Sequence, residues 1–153
     1  DRIISTRRRG EPPTPSWSMD AAGLNCVFAA MDRVYLPRPV SRYISRMVAA
    51  THPNAAEAPA PVRQYVVYGA SPRAAIAIAE AARAYALLAG RPTVGFEDVK
   101  VVAPAVLNHR LVLSYKAKFD RADVFSVIDT LLSELDETGL KLPADVRIGA
   151  GKE

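Results

Sequence analysis

A chain of 153 residues, half of them hydrophobic, suffices for one domain with a single core. Its single Cys26 excludes an internal disulfide and is compatible with the cytoplasm, and no apolar run approaches the ~18–20 residues of a membrane span. Few aromatics and much alanine favour packed helices over a sandwich; the net charge of +4 suits phosphate, nucleic acid or an acidic protein face without choosing among them.

Residues 1–18 read as an extended linker, with Arg7-Arg8-Arg9 followed by Gly10, Pro12, Pro13 and Pro15. Three charges in a proline-flanked tail read as solvated rather than as a grip on nucleic acid, and no apolar stretch follows to make a secretory signal. The opening Asp1-Arg-Ile-Ile, without an initiator Met, reads as a cut from a longer protein. Ser18 is expected to cap a first helix, with Leu24, Val27, Phe28 and Met31 as a buried stripe. Val34-Tyr35-Leu36-Pro37 reads as a short extended connector, and Pro39 suits the start of a second helix with Val40, Tyr43, Ile44, Met47 and Val48 inward. Arg38, Arg42 and Arg46 lie four apart on its other side with no acid at helical spacing to pair with, a solvated face or a subunit contact.

Thr51–Gln64, rich in alanine and proline, reads as a mobile surface loop, and Tyr65–Tyr68 as a short buried approach to a third helix over residues 72–89. That helix is announced by Gly69-Ala70-Ser71-Pro72-Arg73. Gly69 allows a positive φ, Ser71 is a strong N-cap, and Pro72 fits the first helical position. Its small apolar surface marks it as the central element, ending at Gly90, with Glu80 and Arg83 as its i,i+3 charge pair. Arg73 is the oddity. A cation in the first turn faces the positive end of the helix dipole, at a cost of a few tenths to about 1 kcal/mol. A helix N-terminus and a guanidinium aimed together make a site for an anion; the plainer alternative is a surface arginine, or one paired internally with Glu80.

Thr93-Val94 is extended, and Gly95 caps a fourth helix with Glu97 and Asp98 in its first turn; Pro104 is expected to start a new turn rather than sit inside that helix. Leu111–Phe119 alternates like a strand, with Leu113, Tyr115, Ala117 and Phe119 on one side. Asp120, with Asp123 three residues on, is expected to start a last helix with the stripe Val124, Val127, Ile128, Leu131, Leu132 and Leu135, and residues 136–153 read as a flexible polar tail. The expected fold is all-α, a small helical bundle over residues 19–135 with one short β-like segment.

Most enzyme chemistry is excluded by spacing. His52 and His109 have no carboxylate or Cys at ligand spacing, so no metal site is expected. Gly69-Ala-Ser71-Pro-Arg73 begins like a nucleophile elbow, but Arg73 replaces its last glycine and Pro72 lacks the N–H an oxyanion hole requires. Ser71 is therefore a cap. Gly90-Arg-Pro-Thr-Val-Gly95 has phosphate-loop spacing, but Phe96-Glu97 stand where Lys and Ser/Thr are required; Gly149-Ala-Gly-Lys152 lacks both the earlier glycine and a following helix. Alone, the chain is expected to hydrolyse no nucleotide.

Gly69-Ala-Ser-Pro-Arg-Ala74 opening an alanine-rich helix resembles the second-sensor motif in the lid of MoxR-family AAA+ ATPases. Ala84-Tyr-Ala-Leu-Leu-Ala-Gly90-Arg91, Val94-Gly-Phe-Glu-Asp-Val99-Lys and Ala103–Ser114 follow at the family's spacing, and Val34–Pro37 with Val40–Thr51 resemble the lid's first helix and its approach. The later blocks also resemble magnesium-chelatase lids. The resemblance covers residues 20–135 and implies an AAA+ lid that packs over nucleotide and mediates contacts in a ring, commonly a hexamer. It implies that Arg73 is the second-sensor arginine, catalytic together with a P-loop core, and that Gly69, Ser71 and Pro72 shape the turn presenting it to ATP. ATP and Mg²⁺ would be bound through that core, expected before Asp1 with the Walker motifs, and not by this segment alone. The parent would be an ATPase with a chaperone-like or metal-cofactor-maturation role. The alternative from another class is a basic helical module for nucleic acid or an acidic protein.

Overall fold

The computed structural model describes residues 14–139. The Arg7-Arg8-Arg9 linker and the chain from residue 140 on, Lys152 included, lie outside the described residues. Helices α1 (Ala21–Asp32), α2 (Arg38–Ala50) and α3 (Ala60–Tyr65) lead into strand β1 (Val66–Tyr68). Helices α4 (Pro72–Leu88) and α5 (Phe96–Leu107), strand β2 (Val112–Leu113), and helices α6 (Tyr115–Phe119) and α7 (Val124–Glu134) complete the order. The described residues form a helical bundle with one two-stranded antiparallel ribbon, in which Val66 faces Leu113 and Tyr68 faces Val112.

Helix α4 is the centre. It packs on α1, α2 and α5 through Ala74, Ile78, Ala82 and Ala86, a stripe at i,i+4 spacing whose small side chains let neighbours approach closely. The small apolar surface is not buried all round, because Ile76, Tyr85 and Leu88 point outward. Gly90 ends the helix at φ +70°, with Arg91 N–H to the Ala86 carbonyl and Gly90 N–H to the Leu87 carbonyl, both 2.9 Å. From α2, Val40, Tyr43, Ile44, Met47 and Val48 are all buried as the pattern predicts; Val127, Ile128, Leu131 and Leu135 close the core at the α7 side. The two extended pieces pair with each other, Tyr35 bridging Thr93, with Tyr35 N–H on the Pro92 carbonyl and Val94 N–H on the Tyr35 carbonyl.

Several expectations are corrected. Asp20, not Ser18, caps α1, accepting from Gly23 N–H at 2.7 Å, and no residue of α1 is buried. Leu24, Val27 and Phe28 are exposed because α1 packs chiefly on α4, so the stripe is left largely uncovered within the described residues. The Thr51–Gln64 segment is folded: Ala58 and Val62 join Val66 and Val127 in a second apolar cluster, and α3 occupies its end. Of Leu111–Phe119 only Val112–Leu113 is strand. Ser114 accepts from Ala117 N–H and caps α6, which buries Ala117 and leaves Tyr115 and Phe119 outside. Pro104 sits inside α5, where the continuous burial of Val99, Ala103 and Leu107 outweighs the hydrogen bond that proline cannot donate. Asp120 ends α6, and Asp123 alone caps α7, accepting from Ser126 N–H at 2.7 Å.

The arginine stripe on α2 is also interrupted. Arg46 donates from Nε and Nη2 to the Glu57 carboxylate at 3.0 and 2.5 Å and from Nη1 to the Asp136 carbonyl at 2.8 Å, and Lys100 reaches Glu137 at 2.5 Å. The chain just after α7 is thus anchored on α2 and α5. Arg91 grips buried Asp98, with Nη1 to Oδ2 at 2.8 Å and Nη2 to Oδ1, while Asp98 Oδ2 also accepts Gly95 N–H at 2.8 Å. These hydrogen bonds, Arg91 first, hold the Asp98 carboxyl below its usual pKa against the opposing effect of desolvation.

A group with a depressed native pKa contributes stability above the unfolded value, about 3.9 for Asp, and loses it as pH falls through the native value. Asp98→Asn is therefore expected to cost about 2–3 kcal/mol at neutral pH. In urea titrations the gap between the variant and the wild type should shrink below about pH 4; a gap independent of pH would show that the ion pair contributes nothing. Tyr43 packs edge-on to Phe96 with ring centroids 5.5 Å apart, and its buried hydroxyl has no partner among the described residues. Tyr43→Phe should thus leave the melting temperature unchanged or raise it, by up to about 1 kcal/mol of stability.

Candidate functional site

The turn Gly69–Arg73 sits where the C-terminus of α2 meets the N-terminus of α4. Gly69 is not left-handed; only Gly90 and Gly139 among the described glycines have positive φ. Its requirement is space. A Cβ there would lie 2.8 Å from the Thr51 carbonyl carbon and oxygen and from His52 Cγ. The next residue is locked from both sides. Ala70 N–H donates to Thr51 Oγ1 at 2.9 Å, and the Ala70 carbonyl stands 3.0 Å from His52 Nε2. The Thr51 hydroxyl in turn donates to the Val48 carbonyl at 2.6 Å, one of the last carbonyls of α2.

Ser71 occupies the N-cap position of α4 with φ −72° and ψ 164°, and Pro72 follows at the first helical position. The Ser71 side chain makes no cap bond; its carbonyl accepts Ala74 N–H at 2.8 Å. Among the described residues no side chain therefore caps the first turn of α4, and that turn holds no acidic residue to offset the helix dipole. Arg73 is exposed and makes no hydrogen bond or ion pair among the described residues. Glu80 is taken by Arg83 at 2.8 Å, which removes it as an internal partner for Arg73. Beside the turn, Val48, Ala49, His52, Pro72 and Ala75 line an open, mainly apolar groove of about 330 Å³. What the arrangement can do is bind an anion: a permanently charged fork and an uncapped helix start lie on one rigid turn.

Gly69, Ser71, Pro72 and Arg73, the residues singled out in the sequence, thus form one continuous turn. Thr51 and His52 were not legible as its supports, because their spacing from Ala70 is set by tertiary packing. His109 stands apart, with Nδ1 2.9 Å from Asn108 Oδ1, and Arg110 reaches back to the Val106 carbonyl at 2.6 Å, a cation on a helix C-terminus. Among the described residues no group of three or more His, Cys, Asp or Glu could hold a metal ion, and no helix is long and apolar enough to cross a membrane.

Residues 60–131 match the AAA lid domain family, a stretch running from α3 through most of α7. The chain carries an AAA lid domain. It is 43% identical over 90 residues to Chaperone MoxR1 of Mycobacterium tuberculosis, covering 59% of this chain and 24% of that protein. It is also 34% identical over 121 residues to the uncharacterized Bacillus subtilis protein YeaC, covering 72% of this chain and 34% of YeaC. The crystal structure of a candidate ATPase from Cytophaga hutchinsonii superimposes with a TM-score of 0.67 at 33% identity, over 71% of this chain and 33% of that one. The chain belongs to the lids of MoxR-type AAA+ ATPases. It spans a quarter to a third of the length of these relatives.

Because Gly69 is held against backbone, Gly69→Ala should cost about 2 kcal/mol or more, the price of an overpacked contact that no side chain can vacate. Thermal unfolding of the variant checks this; a melting temperature equal to the wild type would mean that α2 and the turn separate freely.

Proposed function

We propose that this chain is the nucleotide-responsive lid of an ATP-hydrolysing AAA+ machine with a chaperone-like role in the cytoplasm. Arg73 is its second-sensor arginine. The observation that carries the reading is the guanidinium of Arg73, exposed and without a partner among the described residues, in the first turn of α4 on a turn fixed to α2 by Gly69, Thr51 and His52. The residues fit the phosphate end of ATP: a bidentate cation and a helix start without a side-chain cap are matched to anionic oxygens. Bound ATP supplies the phosphoryl group whose transfer to water drives the machine. Arg73 binds its terminal phosphate charge, and the lid thereby distinguishes the tri- from the diphosphate state. The nucleotide's remaining contacts and Mg²⁺ are assigned to the P-loop core of the same protein, and the ring neighbours to copies of it, a hexamer as in the family. The name of the Mycobacterium tuberculosis relative supports the chaperone role. A basic surface for nucleic acid gains nothing from the structure, since Arg46 is committed to Glu57 and Asp136.

Arg73→Ala in the full-length protein is expected to reduce ATP turnover about 10- to 100-fold, the loss of one charge-assisted contact to phosphate. Circular dichroism should find the lid still folded, because no internal bond is lost, and Arg73→Lys should recover only part of the turnover. Unchanged turnover in a folded Arg73→Ala protein refutes the reading.

A further inference from the structure

Besides the hydroxyl of Tyr43, Thr51 and Asp98 are the buried polar side chains among the described residues. Asp98 is accounted for by Arg91 and Gly95. Thr51 has no charged partner and lies before Ala60, where the family match begins. Its hydroxyl spends both its functions on backbone: the proton goes to the Val48 carbonyl at 2.6 Å, and a lone pair receives Ala70 N–H at 2.9 Å. A valine would fill nearly the same volume without a hydroxyl to desolvate. What the hydroxyl adds is direction, since it fixes where Ala70 stands relative to the last turn of α2.

Little can give way between Ala70 and Arg73. The Ala70 carbonyl is held at 3.0 Å from His52 Nε2, and Gly69 rests on the Thr51 carbonyl without room for a Cβ. Ser71 has its carbonyl tied to Ala74 N–H at 2.8 Å, and the ring of Pro72 fixes φ at the next residue. A displacement at Ala70 is therefore carried into the guanidinium-bearing first turn instead of being absorbed by a soft torsion. We infer that Thr51 is a positioning residue for Arg73, setting through its buried hydroxyl the angle at which the turn presents the guanidinium to phosphate. The inference rests on the reading of Arg73 given above.

The test is ATP turnover by the full-length protein, with kcat and KM resolved and scaled to folded protein. Four backgrounds are compared: Thr51→Val, Thr51→Ser, Arg73→Ala and Thr51→Val with Arg73→Ala. Val62→Ala, in the separate apolar cluster, serves as a control that lowers the melting temperature without touching the turn. Thr51→Val should lower kcat about tenfold or more, as expected of a group misplaced by an ångström or less, with KM for ATP changed far less. Thr51→Ser, which keeps the hydroxyl, should stay within about twofold of the wild type, and in the Arg73→Ala background Thr51→Val should have no further effect on kcat. Should Thr51→Val fail to fold, the serine variant and Val62→Ala still decide. A serine variant as impaired per folded molecule as Arg73→Ala, when Val62→Ala is not, would show that the hydroxyl is not the positioning group. A Thr51→Val kcat equal to that of Val62→Ala, or a Thr51→Val effect undiminished without Arg73, overturns the inference alone. An Arg73→Ala protein with full turnover overturns the second-sensor reading and this inference with it.

Discussion

The approach of Gly69 to the carbonyl of Thr51 is the constraint from which the arrangement around α4 follows. It brings the end of one buried helix against the start of another at a distance no side chain tolerates. Backbone in such a junction has orphan groups, since the last carbonyls of α2 and the N–H groups before α4 have no helical partners. The Thr51 hydroxyl serves one of each, and His52 stands over the Ala70 carbonyl. With that corner closed, the alanine stripe of α4 lies on α2 and α5 from Ala74 onward, and Pro72 and Arg73 at its start remain exposed. Close packing and site geometry are the same fact viewed from two sides.

Elements whose periodic stripe is covered by another part of the same chain were readable directly. The stripes of α2 and α7 and the cap at Gly95 stand where pattern and propensity put them. The failures share a cause: periodicity reports that a face is apolar, not that something covers it. Leu24, Val27 and Phe28 have the spacing of a core stripe and remain exposed on α1. In Leu111–Phe119, alternation and the cap chemistry of Ser114 competed, and over residues 115–119 the cap won by burying Ala117. At Pro104 the local penalty was real, but three buried residues spaced four apart around it kept α5 continuous.

The site divides in the same way. Ser71, Pro72 and Arg73 are neighbours in sequence, so local rules locate the turn and show that its cation is misplaced with respect to the helix dipole. The role of Gly69 was only half legible. A glycine before a helix suggests a left-handed turn, whereas here it permits contact with a backbone 18 residues earlier. Thr51 and His52 carry no signal in an alanine- and proline-rich stretch, and only folding sets them against Ala70. Likewise the arginines four apart on α2 resemble one continuous surface until Glu57 and Asp136 reach Arg46 from distant segments.

Electrostatics separate the arginines that hold the bundle from the one proposed to work. Arg46 and Arg91 sit on carboxylates, and Arg110 on a helix C-terminal carbonyl, where a cation is favoured. Removing any of these charges takes one donor from its acceptor, so each is tied to stability. Arg73 stands at the opposite pole of a helix, where its charge is disfavoured and no described residue compensates it. A bundle selected for stability alone would gain by losing that charge, whereas an anion brought to the same turn reverses the sign of the dipole interaction and pairs the guanidinium at once. Because the turn is already locked to α2, that anion would bind without ordering a loop, and its arrival or departure acts directly on α4. Under the proposed second-sensor role, the unfavourable placement in the free lid would make Arg73 responsive to the charge of a bound nucleotide.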